Sequence, residues 1–302
     1  MSDLSLISDV AVPAVVWLLM LVVGLDLTVA DFRRVLVYPK AVAVATFGQL
    51  LLLPLTAALL IWTLDPEPYV VAGMVLLAAC PGGAISNFYA YLARANVALS
   101  VTLTATSSLV ALGTMPALTS AGLALFLDHG EAVDVPITRL VVQLAIMLVT
   151  PVAVGMALRR WCPSTVERYA QGLRRLSLVA LAALVGVILL DQRRNLAGEI
   201  GPVVLAAVLY SLIAMAAGWG VGRLAGFSRE DCFTLLLEFA ARNLAVTAVI
   251  GIIVLGRVEF VLFATLFFLT QLPIVLLMIG AFVVRSKKVG FQTRNPFIGQ
   301  GQ

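Results

Sequence analysis

The sequence predicts an all-α membrane protein of about nine transmembrane helices. Three observations carry this. The 302 residues are 62% hydrophobic and only 12% charged, with a mean hydropathy of +1.06. A soluble domain is about 45–50% apolar and about 25% charged, so this chain lacks the charge to coat a water-facing surface. Apolar runs of helix-spanning length recur along the chain, each long enough to cross a hydrocarbon core of roughly 30 Å. The basic residues fall on one side of the resulting pattern.

The spans read in order as 9–29, 39–63, 69–93, 96–126, 136–158, 173–191, 201–224, 230–256 and 259–284. Short polar separators divide them, such as Asp65-Pro-Glu-Pro and Gly256-Arg-Val-Glu. The first basic residue is Arg33. A signal peptide has a positive n-region, so the first run is expected to be a retained helix. With the N-terminus outside, the inside segments hold Arg33, Arg34, Lys40, Arg94, Arg159, Arg160, Arg168, Arg174, Arg175, Arg223, Arg229, Arg285, Lys287, Lys288 and Arg294. The outside segments hold only Arg139, Arg193, Arg194 and Arg257. Positive-inside bias therefore supports nine spans in a cell membrane, with the C-terminus inside. Arg242 alone of the basic residues falls in the middle of a span rather than at its end.

Composition also excludes chemistry. The single histidine, His129, sits in an acidic loop, so His-ligated metal sites and Ser-His-Asp triads lack their parts. Cys80, Cys162 and Cys232 form no CxxC pair, and no Walker-type loop is present. No cofactor and no nucleic-acid partner is expected. An intramembrane protease would need a catalytic dyad, and Asp26, near an inner membrane edge, has no paired aspartate.

Two spans are interrupted. The third contains Cys80-Pro81-Gly82-Gly83-Ala84-Ile85-Ser86-Asn87. Pro-Gly-Gly at mid-membrane breaks the hydrogen-bond ladder and permits unusual dihedrals. Backbone freed at this depth must be buried in protein or line a wet cavity. The eighth contains Glu238-Phe239-Ala240-Ala241-Arg242-Asn243. Charge here marks an ion or substrate site by default, though Glu238 and Arg242 would share a face and pair if the helix is intact. In the fourth span Ser100, Thr104 and Ser107 share a face; they either line a site or bond their own helix. Gln49 in the second span is polar and, taken alone, is a helix–helix hydrogen bond. One interrupted span in each half points to an inverted-repeat secondary transporter. The first repeat, 1–127, lacks an opening helix that the second, 136–284, possesses; 285–302 reads as a cytoplasmic tail.

At these residues the sequence resembles the bile acid:sodium symporter family, as a bacterial-type member. The carrying pieces are Cys80-Pro81-Gly82-Gly83 with Ser86-Asn87, Tyr91-Leu92-Ala93-Arg94, Asn96 to Val101, Asp31-Phe32 with Pro39-Lys40, and Gln49 five before Pro54. The resemblance implies core and panel domains with two crossing discontinuous helices, and symport of a small organic anion with sodium as coupling ion. It implies a first sodium site at Ser86, Asn87, Ser100, Thr104 and Glu238. A second would use Gln49, Glu238, the main-chain oxygens of Phe239 and Ala241, and position 242. Ala84, Asn87, Arg242 and Asn243 would meet substrate.

The chain departs from the family run Glu-x-Gly-x-Gln-Asn-x-Gly. Both glycines are alanines, Ala240 and Ala245, so less unwinding is expected. The glutamine is Arg242, a permanent cation that cannot ligate sodium. It is expected to replace the second sodium, leaving one ion or none, and it could also capture a substrate carboxylate or sulfonate with its fork; the two roles are compatible. An arsenite transporter of the same fold, using Cys80, and a sodium-independent or proton-linked carrier remain as alternatives. The protein is expected to be a monomer or weak oligomer.

Overall fold

The structure, a computed structural model, describes residues 10–127 and 136–293, without the side chains of 193–199 and 286–293. His129 and the acids around it therefore lie outside the described residues. Those described form helices and their connections, with no β-strand among them.

Proline and local caps set the helix boundaries. Helix α1 (Val12–Asp26) opens with Pro13 in its first turn, where a missing N–H costs nothing. It bends by 71° into the short α2 (Val29–Arg33). A reciprocal cap fixes that corner: the Thr28 N–H donates to Asp31 Oδ2 at 2.7 Å, and Arg34 pairs with Asp31. Helix α3 (Pro39–Leu64) ends at Asp65 in the left-handed region, φ 45°, ahead of Pro66. Then come α4 (Pro68–Ala79), α5 (Ile85–Ala93) and α6 (Val97–Phe126), the last capped by Asn96. Helix α7 (Ile137–Leu144) passes through a π turn, Ala145–Val149, into α8 (Thr150–Trp161). Pro151 cannot donate to the preceding turn, and the wider turn accommodates it. Helices α9 (Pro163–Asp191) and α10 (Arg193–Leu224) follow. Helix α11 (Arg229–Ala240) is capped by Ser228, and α12 (Leu244–Ala248) by Asn243. Helix α13 (Leu262–Thr293) ends the described chain.

Six helical segments are long and apolar enough to cross a membrane, or seven if α1 with its bent continuation counts as one span. The count falls below nine because spans three and eight are each divided into two short helices. Large apolar side chains face outward, among them Phe47, Leu59 and Leu277, as a lipid-facing surface requires.

Two packed groups emerge. Helix α1 lies along α8 and α9, while α10 lies along α3, α11 and α13. Small residues permit the closest approach in the first group. A Cβ on Gly155 would sit 2.4 Å from the Leu21 carbonyl oxygen, and one on Gly24 would sit 2.3 Å from that of Val152. Replacing Gly155 with valine should therefore cost about 1–3 kcal/mol through overpacking. Thermal unfolding in detergent should show a clear fall in Tm for G155V. Gly113→Ala, whose added Cβ meets nothing within 4 Å, should leave Tm unchanged or raise it.

Candidate functional site at the crossed helix breaks

Both interrupted spans are broken, and the breaks meet. Helix α4 ends at Ala79 and α5 starts at Ile85; α11 ends at Ala240 and α12 starts at Leu244. The Gly83 N–H donates to the Ala241 carbonyl at 2.9 Å, and the Asn243 N–H donates to the Pro81 carbonyl at 3.2 Å. Gly82 and Arg242 thus form an antiparallel bridge. Each break satisfies backbone groups that the other leaves free.

Two expectations about these breaks change. The glycines of Pro-Gly-Gly are not at positive φ; they are needed for close approach. A Cβ on Gly83 would lie 2.8 Å from the Arg242 carbonyl oxygen, and one on Gly82 would lie 3.2 Å from both Glu238 Oε2 and Ser107 Oγ. Alanines at 240 and 245 do not preserve the second helix either. Ala241 adopts φ −89°, ψ 101° and Asn243 φ −84°, ψ 91°, ordinary extended values open to any residue.

Around the first break five oxygen-bearing side chains converge, the five expected from the sequence. The Ser100 hydroxyl donates to Glu238 Oε1 and lies 2.9 Å from Asn87 Oδ1. The Thr104 hydroxyl lies 3.2 Å from Glu238 Oε2 and 3.2 Å from Ser86 Oγ. Glu238, Ser86 and Ser100 are all fully buried. The serine–threonine stripe divides its labour: Ser100 and Thr104 face the carboxylate, while Ser107 accepts the Gly82 N–H at 3.1 Å. That backbone role of Ser107 had no sequence signal beyond its place on the stripe. More oxygens than protons meet here, a hard and partly anionic cluster.

Arg242 lies on the other side of the break. It is 6% exposed, and its Nη1 donates to Gln49 Oε1 at 3.4 Å. Its Nε has no hydrogen-bond partner, and neither has the nearby Thr46 hydroxyl. The ion pairs among the described residues are Arg34–Asp31, Arg174–Asp26 and Arg257–Glu259. Glu238 and Arg242 form none, because the helix that would have aligned them ends at Ala240. Gln49 is thus paired with Arg242, and Ala241 O, one of the oxygens expected of a second ion site, accepts from Gly83.

A cavity of about 700 Å³ lies between α1, α9 and the breaks. Ala84, Asn87, Arg242 and Asn243, the four residues expected to meet substrate, all line it. The rest of the wall is chiefly apolar, including Met20, Val23, Leu27 and Leu181. These carried no sequence signal, since apolar residues of a span all look alike. Asp26 binds Arg174 at the edge of this cavity. Cys80 does not line it; its Sγ sits 2.9 Å from Thr247 Oγ1, fully buried.

Crossed helix breaks with charge at their centre, and a cavity between two helix groups, define a multi-span membrane protein whose site is made by interrupted backbone. The sequence profile of the Sodium Bile acid symporter family matches residues 13–199, a stretch that holds the first break and stops short of the second. The chain belongs to this family. It is 28% identical over 238 residues to the probable sodium/metabolite cotransporter BASS1, chloroplastic, of Oryza sativa subsp. japonica, covering 79% of this chain and 56% of that one. It is 27% identical over 210 residues to the uncharacterized sodium-dependent transporter YocS of Bacillus subtilis (strain 168), covering 70% and 61%. It is 26% identical over 242 residues to the human ileal sodium/bile acid cotransporter, covering 80% and 68%. The chain spans little more than half the length of the rice relative.

The backbone exchange leaves no room for a Cβ at Gly83. Gly83→Ala should lower the Tm in detergent, at a cost of about 1–3 kcal/mol. An unchanged Tm would mean that the two breaks do not depend on each other.

Proposed function

We propose that the protein is a secondary transporter of a small organic anion, coupled to one sodium ion. The observation that carries this reading is the convergence of Ser86, Asn87, Ser100, Thr104 and Glu238 at crossed helix breaks. Hydroxyl, amide and carboxylate oxygens suit a hard monovalent cation, and Glu238 supplies the compensating charge. The Arg242 guanidinium takes the place of a second ion. It is already engaged with Gln49, a residue of the second site, and Coulomb repulsion of about 4 kcal/mol at 4 Å and an effective dielectric near 20 disfavours a cation beside it.

The cavity is the substrate site, with Ala84, Asn87, Arg242 and Asn243 at its inner end. Sodium-dependent transport is in the names of the plant, bacterial and human relatives. An arsenite carrier using Cys80 is disfavoured, since that thiol is buried against Thr247 away from the cavity.

The chain crosses the cell membrane nine times, counting each broken pair as one span, with the N-terminus outside. Its core holds α3 to α6 and α10 to α13, and its panel holds α1, α8 and α9. The 12-residue lengths of α4 and α11, each running into a break, support inverted repeats, with 1–127 and 136–284 as the two halves. Asp26 and Arg174 then stand at the cytoplasmic mouth.

Uptake into proteoliposomes across a range of sodium concentrations tests the ion count. The wild type should show a Hill coefficient near one, and Glu238→Gln should remove sodium dependence, with loss of at least about tenfold in rate as a buried charged interaction disappears. A coefficient near two with Arg242 intact would overturn the single-ion reading.

A further inference from the structure

Charge balance at the breaks says more than the ion count. Among the described residues the buried charged side chains are Asp31, Glu238 and Arg242. Asp31 is tied to Arg34 at a helix corner. Glu238 and Arg242 remain at the site, unpaired with each other and facing different partners. The hydroxyls of Ser100 and Thr104 hold Glu238. Arg242 has only a long contact to Gln49, and an orphaned Nε. It also lines the cavity, whose other charges, Asp26 and Arg174, neutralise each other. A buried charge without a partner is costly, so the net charge of each bound state decides which states are favourable.

We infer that the cavity takes a singly charged amphipathic anion, and that sodium and this anion cross together with no net charge moved. The inference rests on the one-sodium reading above. In the empty core Glu238 and Arg242 cancel. Sodium alone leaves one surplus positive charge in the low-dielectric interior, and the anion alone leaves one surplus negative charge. Sodium with a monoanion restores neutrality; sodium with a dianion does not. The empty and fully loaded cores are thus the neutral ones, and the half-loaded cores are held back. Coupling arises from this balance without any moving gate residue. Arg242 is central because its charge stays with the chain, whereas a second sodium in its place would travel. The guanidinium fork suits a carboxylate or sulfonate. Apolar walls and a volume of about 700 Å³ suit an apolar body, and lie within the usual range of small-molecule sites.

The test uses the full chain in proteoliposomes under a sodium gradient, with the membrane potential clamped by potassium and valinomycin. The probes are radiolabelled 4-methyl-2-oxopentanoate, benzoate and benzenesulfonate as monoanions, and succinate as a dianion. At least one monoanion should accumulate with sodium to the same level, within about twofold, at zero potential and at 100 mV inside negative, where one uncompensated charge would change the level by about 50-fold. Succinate should enter at under about a tenth of that rate. Arg242→Gln should make uptake respond to potential, while Arg242→Lys, which keeps the charge, should not. Sodium-dependent uptake that responds to potential in the wild type overturns the inference, as does preference for succinate, or failure of every monoanion to move. Uptake that ignores sodium sinks instead the one-sodium reading beneath it. If R242Q does not fold, R242K and the wild type still decide between these outcomes.

Discussion

The fold turns on two hydrogen bonds exchanged between helix breaks, from the Gly83 N–H to the Ala241 carbonyl and from the Asn243 N–H to the Pro81 carbonyl. In water a broken helix is hydrated at little cost. In the middle of a hydrophobic slab each freed backbone group costs several kcal/mol unless the protein satisfies it. Neither break is affordable alone, and together they complete one another. The contact admits no Cβ at Gly83 and little room at Gly82, which accounts for the Pro-Gly-Gly sequence better than backbone freedom does.

The chemistry follows from the same crossing. Had α11 continued unbroken, Glu238 and Arg242 would have stood one turn apart and neutralised each other. The break at Ala241 separates them. Glu238 joins the hydroxyls of α6 and the start of α5, and Arg242 turns toward Gln49 of α3 and the cavity. One interrupted helix thus supplies a negative site and a positive site on two sides of a single bridge. A small apolar-walled cavity opens beside both.

Much of this was legible in the residues. Proline and glycine at mid-span marked the first break, and charge in an apolar run marked the second. Helical spacing placed Ser100 and Thr104 on one face, and family resemblance joined them to Ser86, Asn87 and Glu238. The positions of Ala84, Asn87, Arg242 and Asn243 around one cavity also followed from it. Other features were not legible, for physical reasons. Pairing of Glu238 with Arg242 depended on whether the helix was whole, which the alanines at 240 and 245 misrepresented. The ion pair of Asp26 with Arg174 joins residues 148 apart in the chain, beyond any local pattern. The cavity wall from α1 and α9 is built of the same leucine, valine and methionine that face lipid elsewhere. Span counting by hydropathy treats a broken pair as one element, so nine runs correspond to six or seven helices long enough to cross unaided.

The proposed one-sodium stoichiometry requires the fixed Arg242 guanidinium to stand in the place of a second coupling ion. Equilibrium binding of radioactive sodium to the purified chain measures this directly. One sodium per chain is predicted for the wild type, none for Glu238→Gln, and two for Arg242→Gln. Two sodium ions bound with Arg242 in place, or one bound without regard to Glu238, would contradict it.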